Sequence, residues 1–209
     1  MDILINNLEG EKKYVMPDTW EEMDIKTYIK VMSLLQDDDE ELEQMIKLVH
    51  AITGIPKKDI NSLNVKQINQ LKEEIDTLIN SDIDQELKHI IKIDEVEYGF
   101  HPNISEISIG EFADIEHYLK DDLNKNLHKL LSVLYRPIKN KQGDKYSIID
   151  YKPDKDRQEL FLNRLKVGDF SGASAFFLTL GRELLINSVN SLANKKKWKL
   201  KLDLACRTL

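Results

Sequence analysis

Apolar residues recur at three- and four-residue spacing along most of this chain, which is the pattern of amphipathic α-helices. In the first part of the chain three segments have this spacing: residues 24–35, about 40–53, and 64–79. Asp24 stands where a helix N-cap is expected, Gly54 ends the second segment, and Pro56 is a stop signal after it. The spacing therefore predicts that the first 80 residues are mostly helical.

Helical spacing returns in four later segments, which cover residues 108–119, 123–135, 154–165 and 169–189. Ser108 is followed three residues later by Glu111, the spacing of a capping box at a helix start. We expect the second of these helices to stop at Arg136 and Pro137, because a residue before proline disfavours the helical conformation. The last segment mixes small residues with phenylalanines, so we expect it to be the central core helix.

Other stretches have the alternation and composition of β-strands. Residues 90–100 alternate β-branched and aromatic residues around an acidic turn and predict a hairpin. Residues 3–5 and 14–16 predict a short hairpin or two edge strands. Residues 146–149 predict a strand that pairs with the hairpin, after an exposed polar turn at 139–145. The sequence thus predicts a mainly α protein with a small β-hairpin element, an α+β fold with a helical bundle-like body and an extended C-terminal tail.

Composition divides the chain into three parts. Residues 1–80 are expected to form an N-terminal strand pair and helical unit, residues 90–189 a unit of β-hairpin plus helices, and residues 190–209 a basic extended tail. The short connection at residues 81–84 is polar and offers few groups able to pack. We therefore expect the first two parts to have separable local stability.

Charge is distributed unevenly along the chain, whose formal net charge is −7. Residues 1–50 hold 13 acidic and 5 basic groups, whereas residues 151–209 hold 6 acidic and 12 basic groups. Acidic and basic ends of one chain can meet head to tail in neighbouring copies, a heterologous contact that closes into a ring only if the rotation closes. The charge distribution therefore favours a homo-oligomer.

The tail carries most of the residues predicted to bind a partner. Basic and apolar side chains are interleaved there, and the candidates are Lys195, Lys196, Lys197, Trp198, Lys199, Leu200, Lys201, Leu202 and Leu204. The alternation is that of a strand, which either adds to a sheet edge in a neighbouring subunit or folds back on the hairpin at 90–100. A solubilising tail, a contact with nucleic-acid phosphate and a contact with an acidic protein surface are the other interpretations of the lysines.

No catalytic residue, cofactor or metal is predicted. A single cysteine, Cys206, excludes an intrachain disulfide, and the five histidines never have the spacing of a metal motif. Glycine-rich phosphate loops and a nucleophile-elbow serine are missing from the sequence. No apolar run approaches the length of a membrane span, and the N-terminus does not resemble a secretory signal, so we expect the product to stay where it is made and to have no membrane partner.

Two stretches carry a family resemblance. Residues 93–115 contain a hairpin that leads into the helix start Ile-Ser-Ile-Gly-Glu, and residues 126–137 form a helix ending in Leu-Tyr-Arg-Pro. Together with the Phe-Phe pair at 176–177 and the segment 181–185, they resemble small structural or assembly proteins of tailed bacteriophages, the gut crAss-like phages in particular. The resemblance covers about residues 90–188 and implies a ring or adaptor at the portal and tail junction, an internal virion protein, or a tail-assembly chaperone.

The leading hypothesis is a non-enzymatic virion structural protein, a ring or adaptor subunit that is made in the bacterial host cytoplasm. Its partners would be the portal, neighbouring ring or tail proteins, and other copies of the chain. Arg136 has two interpretations: a partner-binding residue, or a side chain that bonds the last carbonyls of the helix before it. The alternatives are a tail-assembly chaperone absent from the mature virion and a small DNA-binding accessory protein that uses the basic tail, which the acidic remainder disfavours.

Overall fold

The computed structural model describes residues 2–7, 10–38, 40–120 and 123–173. The fold is a mixed α+β fold, as predicted, with helices around two small antiparallel sheets. In chain order the elements are β1 Asp2–Asn7, β2 Gly10–Val15, α1 Ile25–Leu34, α2 Glu41–Thr53, α3 Lys57–Ile60, α4 Val65–Ile79, β3 Ile90–Ile93, β4 Val96–Phe100, α5 Ile109–Lys120, α6 Leu123–Leu134, β5 Tyr135–Gln142, β6 Lys145–Ile148 and α7 Lys155–Arg164. The predicted C-terminal tail lies outside the described residues.

The helix ends of the N-terminal half follow the local signals in the sequence. The Asp24 carboxylate accepts a hydrogen bond from the Thr27 amide at 2.8 Å and caps α1, as predicted. Gly54, at φ +72°, ends α2 in the left-handed conformation that glycine adopts without strain. Asn64 and Gln67 form a capping box at the start of α4. The predicted pairing of the first two strands is also confirmed, since β1 and β2 form an antiparallel hairpin.

One short helix was not predicted. The single turn α3 begins directly after Pro56, which the sequence prediction took only as a stop signal for α2. Proline has a fixed φ and tolerates the start of a helix, so the same residue that ends one helix also precedes the next. Ile60, which is 1% exposed, attaches this turn to the core.

The C-terminal half is built on a four-stranded sheet in the order β3-β4-β5-β6. The predicted end of the helix before Arg136 is confirmed to within one residue, since α6 ends at Leu134. The polar turn predicted at 139–145 is wrong, because residues 135–142 form the strand β5 and only residues 143–144 turn. Tyr135 pairs with Phe100 of β4, and their rings meet edge to face at 5.2 Å, so tertiary packing decides this conformation. β6 pairs with β5 and not with the 90–100 hairpin.

One tyrosine of β6 nevertheless also contacts the strands of the 90–100 hairpin. The Tyr146 hydroxyl donates to the carbonyl oxygens of Phe100, at 2.8 Å, and His89, at 3.0 Å, as alternative acceptors. Its ring lies over Gly99, where a β-carbon would come within 2.4 Å of the ring. Only glycine at this position of β4 leaves room for the tyrosine.

The helices of both halves share one hydrophobic core. The amide of Ile25 donates to the carbonyl of Leu165 and the amide of Val167 to the carbonyl of Met23, both at 2.8 Å, so the main chains of the two halves are hydrogen-bonded. Separable stability of residues 1–80 and 90–189 stays a prediction.

Of the predicted core helix at 169–189, residues up to 173 are described; they belong to a helical stretch, 167–173, in which Phe170 is buried. Among the described helices, none combines the length and apolar character that crossing a membrane requires.

Candidate functional site

A buried ion pair joins helix α5 to the sheet. Glu111 of α5 and Arg136 of β5 are 3% and 4% exposed, and Arg136 Nη2 lies 2.6 Å from Glu111 Oε1. His101, in the loop after β4, brings its Nε2 to 3.5 Å from the same carboxylate oxygen. Charged residues are seldom this buried unless they are paired. We call Glu111, Arg136 and His101 the α5 anchor.

Glu111 also completes the start of its own helix. Its second carboxylate oxygen accepts hydrogen bonds from the Ser108 amide at 2.8 Å and from the Ser108 hydroxyl at 2.5 Å. The Glu111 amide donates back to the Ser108 hydroxyl at 3.3 Å. This reciprocal arrangement confirms the capping box predicted from the spacing of the two residues. One carboxylate therefore fixes the first turn of α5 and holds that turn against β5.

An aromatic ring covers the other side of the arginine. The guanidinium carbon of Arg136 lies 5.7 Å from the centre of the Tyr151 ring, within the range of a cation–π contact. The Tyr151 hydroxyl donates to the Asp114 carboxylate, so the segment after β6 is attached to α5 one turn beyond Glu111. Among the described residues, neither Arg136 Nε nor Glu111 Oε1 has a hydrogen-bond partner. Arg136 is held chiefly by charge and stacking.

The charges of the α5 anchor depend on one another. Burial tends to raise the pKa of Glu111, but the hydrogen bonds from Ser108 and the positive charge of Arg136 hold that pKa below its usual value. Burial lowers the pKa of Arg136, and Glu111 opposes that shift. Both groups are therefore ionised near neutral pH, where each serves as the counter-ion of the other.

A second buried arginine supports the neighbouring segment. Arg157 of α7 is 6% exposed, and its Nε donates to the Ser132 carbonyl at 3.0 Å while Nη1 pairs with Asp154 at 3.2 Å. Asp154 also caps α7 by accepting the amide hydrogen of Arg157 at 3.0 Å. Arg157 thus ties the start of α7 to the last turn of α6.

The charged groups of the α5 anchor contact other protein groups in the interior. One oxygen of Glu111 accepts hydrogen bonds from Ser108, the other lies in ion-pair contact with Arg136, and the His101 side chain is only 9% exposed. Within residues 2–7, 10–38, 40–120 and 123–173, no three histidine, cysteine, aspartate or glutamate side chains are grouped as metal ligands. The arrangement fixes the position of a helix.

The outer surface of that helix is apolar. Ile109 is 89% exposed and Phe112, one turn further on, is 42% exposed, although Glu111 between them is buried. Ala113 and Glu116 continue the same exposed surface. We call Ile109, Phe112, Ala113 and Glu116 the α5 face. Single exposed apolar residues are common on proteins, but here two large ones are adjacent on a helix whose orientation is fixed from within.

The residues predicted to bind a partner fall into two groups. Arg136 lies in the interior and pairs with Glu111. Within the described part of the chain its side chain makes no hydrogen bond to the last carbonyls of α6, and partner binding through Arg136 stays a prediction. The tail residues 195–204 lie outside the described residues. The sequence did not indicate the pairing of Arg136 with Glu111 or the contacts of His101, Tyr151 and Asp114, because these residues are far apart in the chain.

Comparison with protein-family descriptions, with curated proteins and with solved structures finds no match to this chain.

Two histidines with largely buried side chains, His101 and His128, contribute to how stability depends on pH. Burial lowers the pKa of His101; Glu111 and, in the loop after β4, Glu106 act in the opposite direction, while Arg136 adds to the lowering. Burial also lowers the pKa of His128 on α6, and Lys129 adds to that shift. Both side chains stay neutral in the fold at pH values where the histidines of the unfolded chain, with a pKa of about 6.5, begin to take up protons.

We expect the free energy of unfolding to decrease as the pH falls below about 6.5, by at most about 1.4 kcal/mol per pH unit for each histidine. Urea denaturation at about pH 7.5, 6.5 and 5.5 measures this decrease. The double variant His101→Gln, His128→Gln should lose most of it, whereas His117→Gln, at an exposed position of α5, should retain it. Equal stability of the unmodified chain at the two extremes would contradict the prediction.

Proposed function

We propose that this chain is a non-enzymatic structural protein that acts through protein–protein contacts, as a ring or adaptor subunit at the portal and tail junction of a tailed phage. The observation that carries the proposal is the α5 face, an exposed apolar surface on a helix that is fixed from within by the buried pair of Glu111 and Arg136. The phage setting rests on the resemblance of residues 90–188 to small phage structural proteins.

The energetics of the α5 face suit a binding surface. Full burial of an Ile or Phe side chain is worth about 1.5–3 kcal/mol, so Ile109 and Phe112 together represent a sizeable gain on association. Ordering a flexible segment at an interface offsets part of such a gain. Because the α5 anchor already orders the first turn of α5, little of the gain is lost in this way.

The charge distribution supports assembly from several copies. The acidic residues 1–50 and the basic residues 151–209 give the two ends of one chain opposite sign. Complementary surfaces on different parts of one subunit make heterologous contacts, which generate rings or filaments. Subunits of a ring at a particle junction need contacts of this type.

Quantitative mass spectrometry of gradient-purified particles tests the proposal. We expect the chain to co-purify with intact particles, at a copy number per particle similar to that of the other ring proteins. Free lysate protein from the same culture is the control for carry-over. If the chain is abundant in the lysate but missing from intact particles, the structural role is wrong and an assembly chaperone is favoured.

A further inference from the structure

We infer that the α5 face binds the basic C-terminal segment, residues 195–209, of a neighbouring copy of this chain. The inference deepens the proposed function, because it specifies the contact that would join one subunit to the next. Two features of complementary chemistry support this contact: an exposed apolar helix face in a segment of net negative charge, and a basic segment that is rich in large apolar residues.

The receiving surface combines apolar and acidic character. Around the exposed Ile109 and Phe112, residues 104–120 contain four acidic side chains and one lysine. Arg136 neutralises Glu111 in the interior, and Glu116, half-exposed on the α5 face, pairs with the exposed Lys120 of the same helix at 2.8 Å. Residues 104–120 together with Arg136 therefore keep a net charge of −2. The surface therefore attracts a ligand that is both apolar and basic.

The C-terminal segment has the complementary composition. Residues 195–209 contain six basic groups and one acidic group, and four large apolar residues are interleaved with them: Trp198, Leu200, Leu202 and Leu204. Tryptophan is among the residues that most often dominate an interface, and lysines around it increase the rate of encounter with an acidic surface. No other stretch of the chain combines a tryptophan with so many basic groups.

A contact between different surfaces of two copies is heterologous, and it has a signature that a symmetric contact lacks. A subunit with a damaged α5 face still offers an intact C-terminal segment, and a subunit with a damaged segment still offers an intact face. Mixing the two damaged subunits therefore restores one interface for each pair of chains. A symmetric contact of α5 with α5 would not be restored by mixing.

The test uses the full-length chain in sedimentation velocity experiments. The face variant is Ile109→Ser with Phe112→Ser, and the segment variant is Leu200→Ser with Leu202→Ser. We expect each variant alone to associate at least about tenfold more weakly than the unmodified chain. We expect an equimolar mixture to form one-to-one dimers and nothing larger. Val65→Ser, at an apolar position of α4 that is 76% exposed, is the matched control and should associate normally.

Circular dichroism and thermal melting of each variant establish that loss of association is not loss of folding. The inference is wrong if the unmodified chain is monomeric, if the face variant associates normally, or if the mixture stays monomeric. Loss of association in the segment variant alone would place residues 195–209 elsewhere, such as a sheet edge, and would also overturn the inference. None of these results changes whether the chain is found in purified phage particles by mass spectrometry, so the proposed function can be right even if this inference is wrong.

Discussion

Replacing Glu111 with glutamine is expected to lower the free energy of unfolding by about 3–5 kcal/mol, because it leaves the guanidinium of Arg136 buried without a counter-ion. Glutamine keeps the length of the side chain and an oxygen able to accept the hydrogen bonds from Ser108, so the helix cap is preserved and the charge is what changes. Urea denaturation at about pH 7.5, followed by circular dichroism, measures the difference.

Two controls separate this effect from a general effect of removing charge. Glu116→Gln, on the exposed side of the same helix, breaks only the surface pair with Lys120 and should cost less than about 1 kcal/mol. The double variant Glu111→Leu, Arg136→Met should recover most of the lost stability, since apolar side chains of similar volume need no counter-ion. A Glu111→Gln variant as stable as Glu116→Gln would mean that Arg136 is not desolvated as described.

The α5 anchor shows which contacts of a residue can be predicted from its neighbours in the sequence and which cannot. Ser108 and Glu111 are three residues apart, and that spacing alone predicted the capping box that the structure contains. Arg136 lies 25 residues further along the chain, and its pairing with Glu111 depends on where β5 meets α5. A partner so distant is set by the tertiary fold, so the sequence could single out Arg136 but could not identify what it contacts.

The strand β5 illustrates the same limit for secondary structure. Apolar residues at helical spacing lead up to Tyr135, and the polar residues after Ile138 resemble a linker. In the fold, Tyr135 packs on Phe100, and residues 139–142 at the far end of β5 have exposed side chains. Because no apolar residues alternate with polar ones in this part of the strand, the sequence does not have the usual β-strand pattern. By contrast, the 90–100 hairpin was predicted because β-branched and aromatic residues alternate there around an acidic turn, and in the fold Tyr98 and Phe100 are both buried.

The position of the α5 face therefore follows from two levels of the sequence. Local capping determines where α5 begins, and this places Ile109 and Phe112 on either side of Glu111. The long-range pair with Arg136 then turns Glu111 inward, and the helix geometry turns the two apolar residues outward. An exposed apolar surface produced in this way is a consequence of how the helix is anchored, and a variant that weakens the anchor is expected to weaken association as well.

Replacing Phe161 with alanine is expected to cost about 3–5 kcal/mol of folding stability, the usual loss for removing a fully buried phenylalanine. Phe161 lies on α7, is 0% exposed, and meets the Tyr98 ring of β4 edge to face at 5.3 Å. The alanine variant leaves a cavity between α7 and the sheet, and the loss of the aromatic pair with Tyr98 is part of this cost.

The same substitution at Phe112 is the matched control, because that ring is 42% exposed on the α5 face. Phe112→Ala should change the free energy of unfolding by about 1 kcal/mol or less, since much of its ring is already in contact with water. Urea denaturation of both variants under the same conditions measures the contrast between a phenylalanine that holds the fold together and one that is free to bind a partner. If the two losses were equal, either α7 would not pack on β4 as described or Phe112 would belong to the core, and in the second case the α5 face could not be a binding surface.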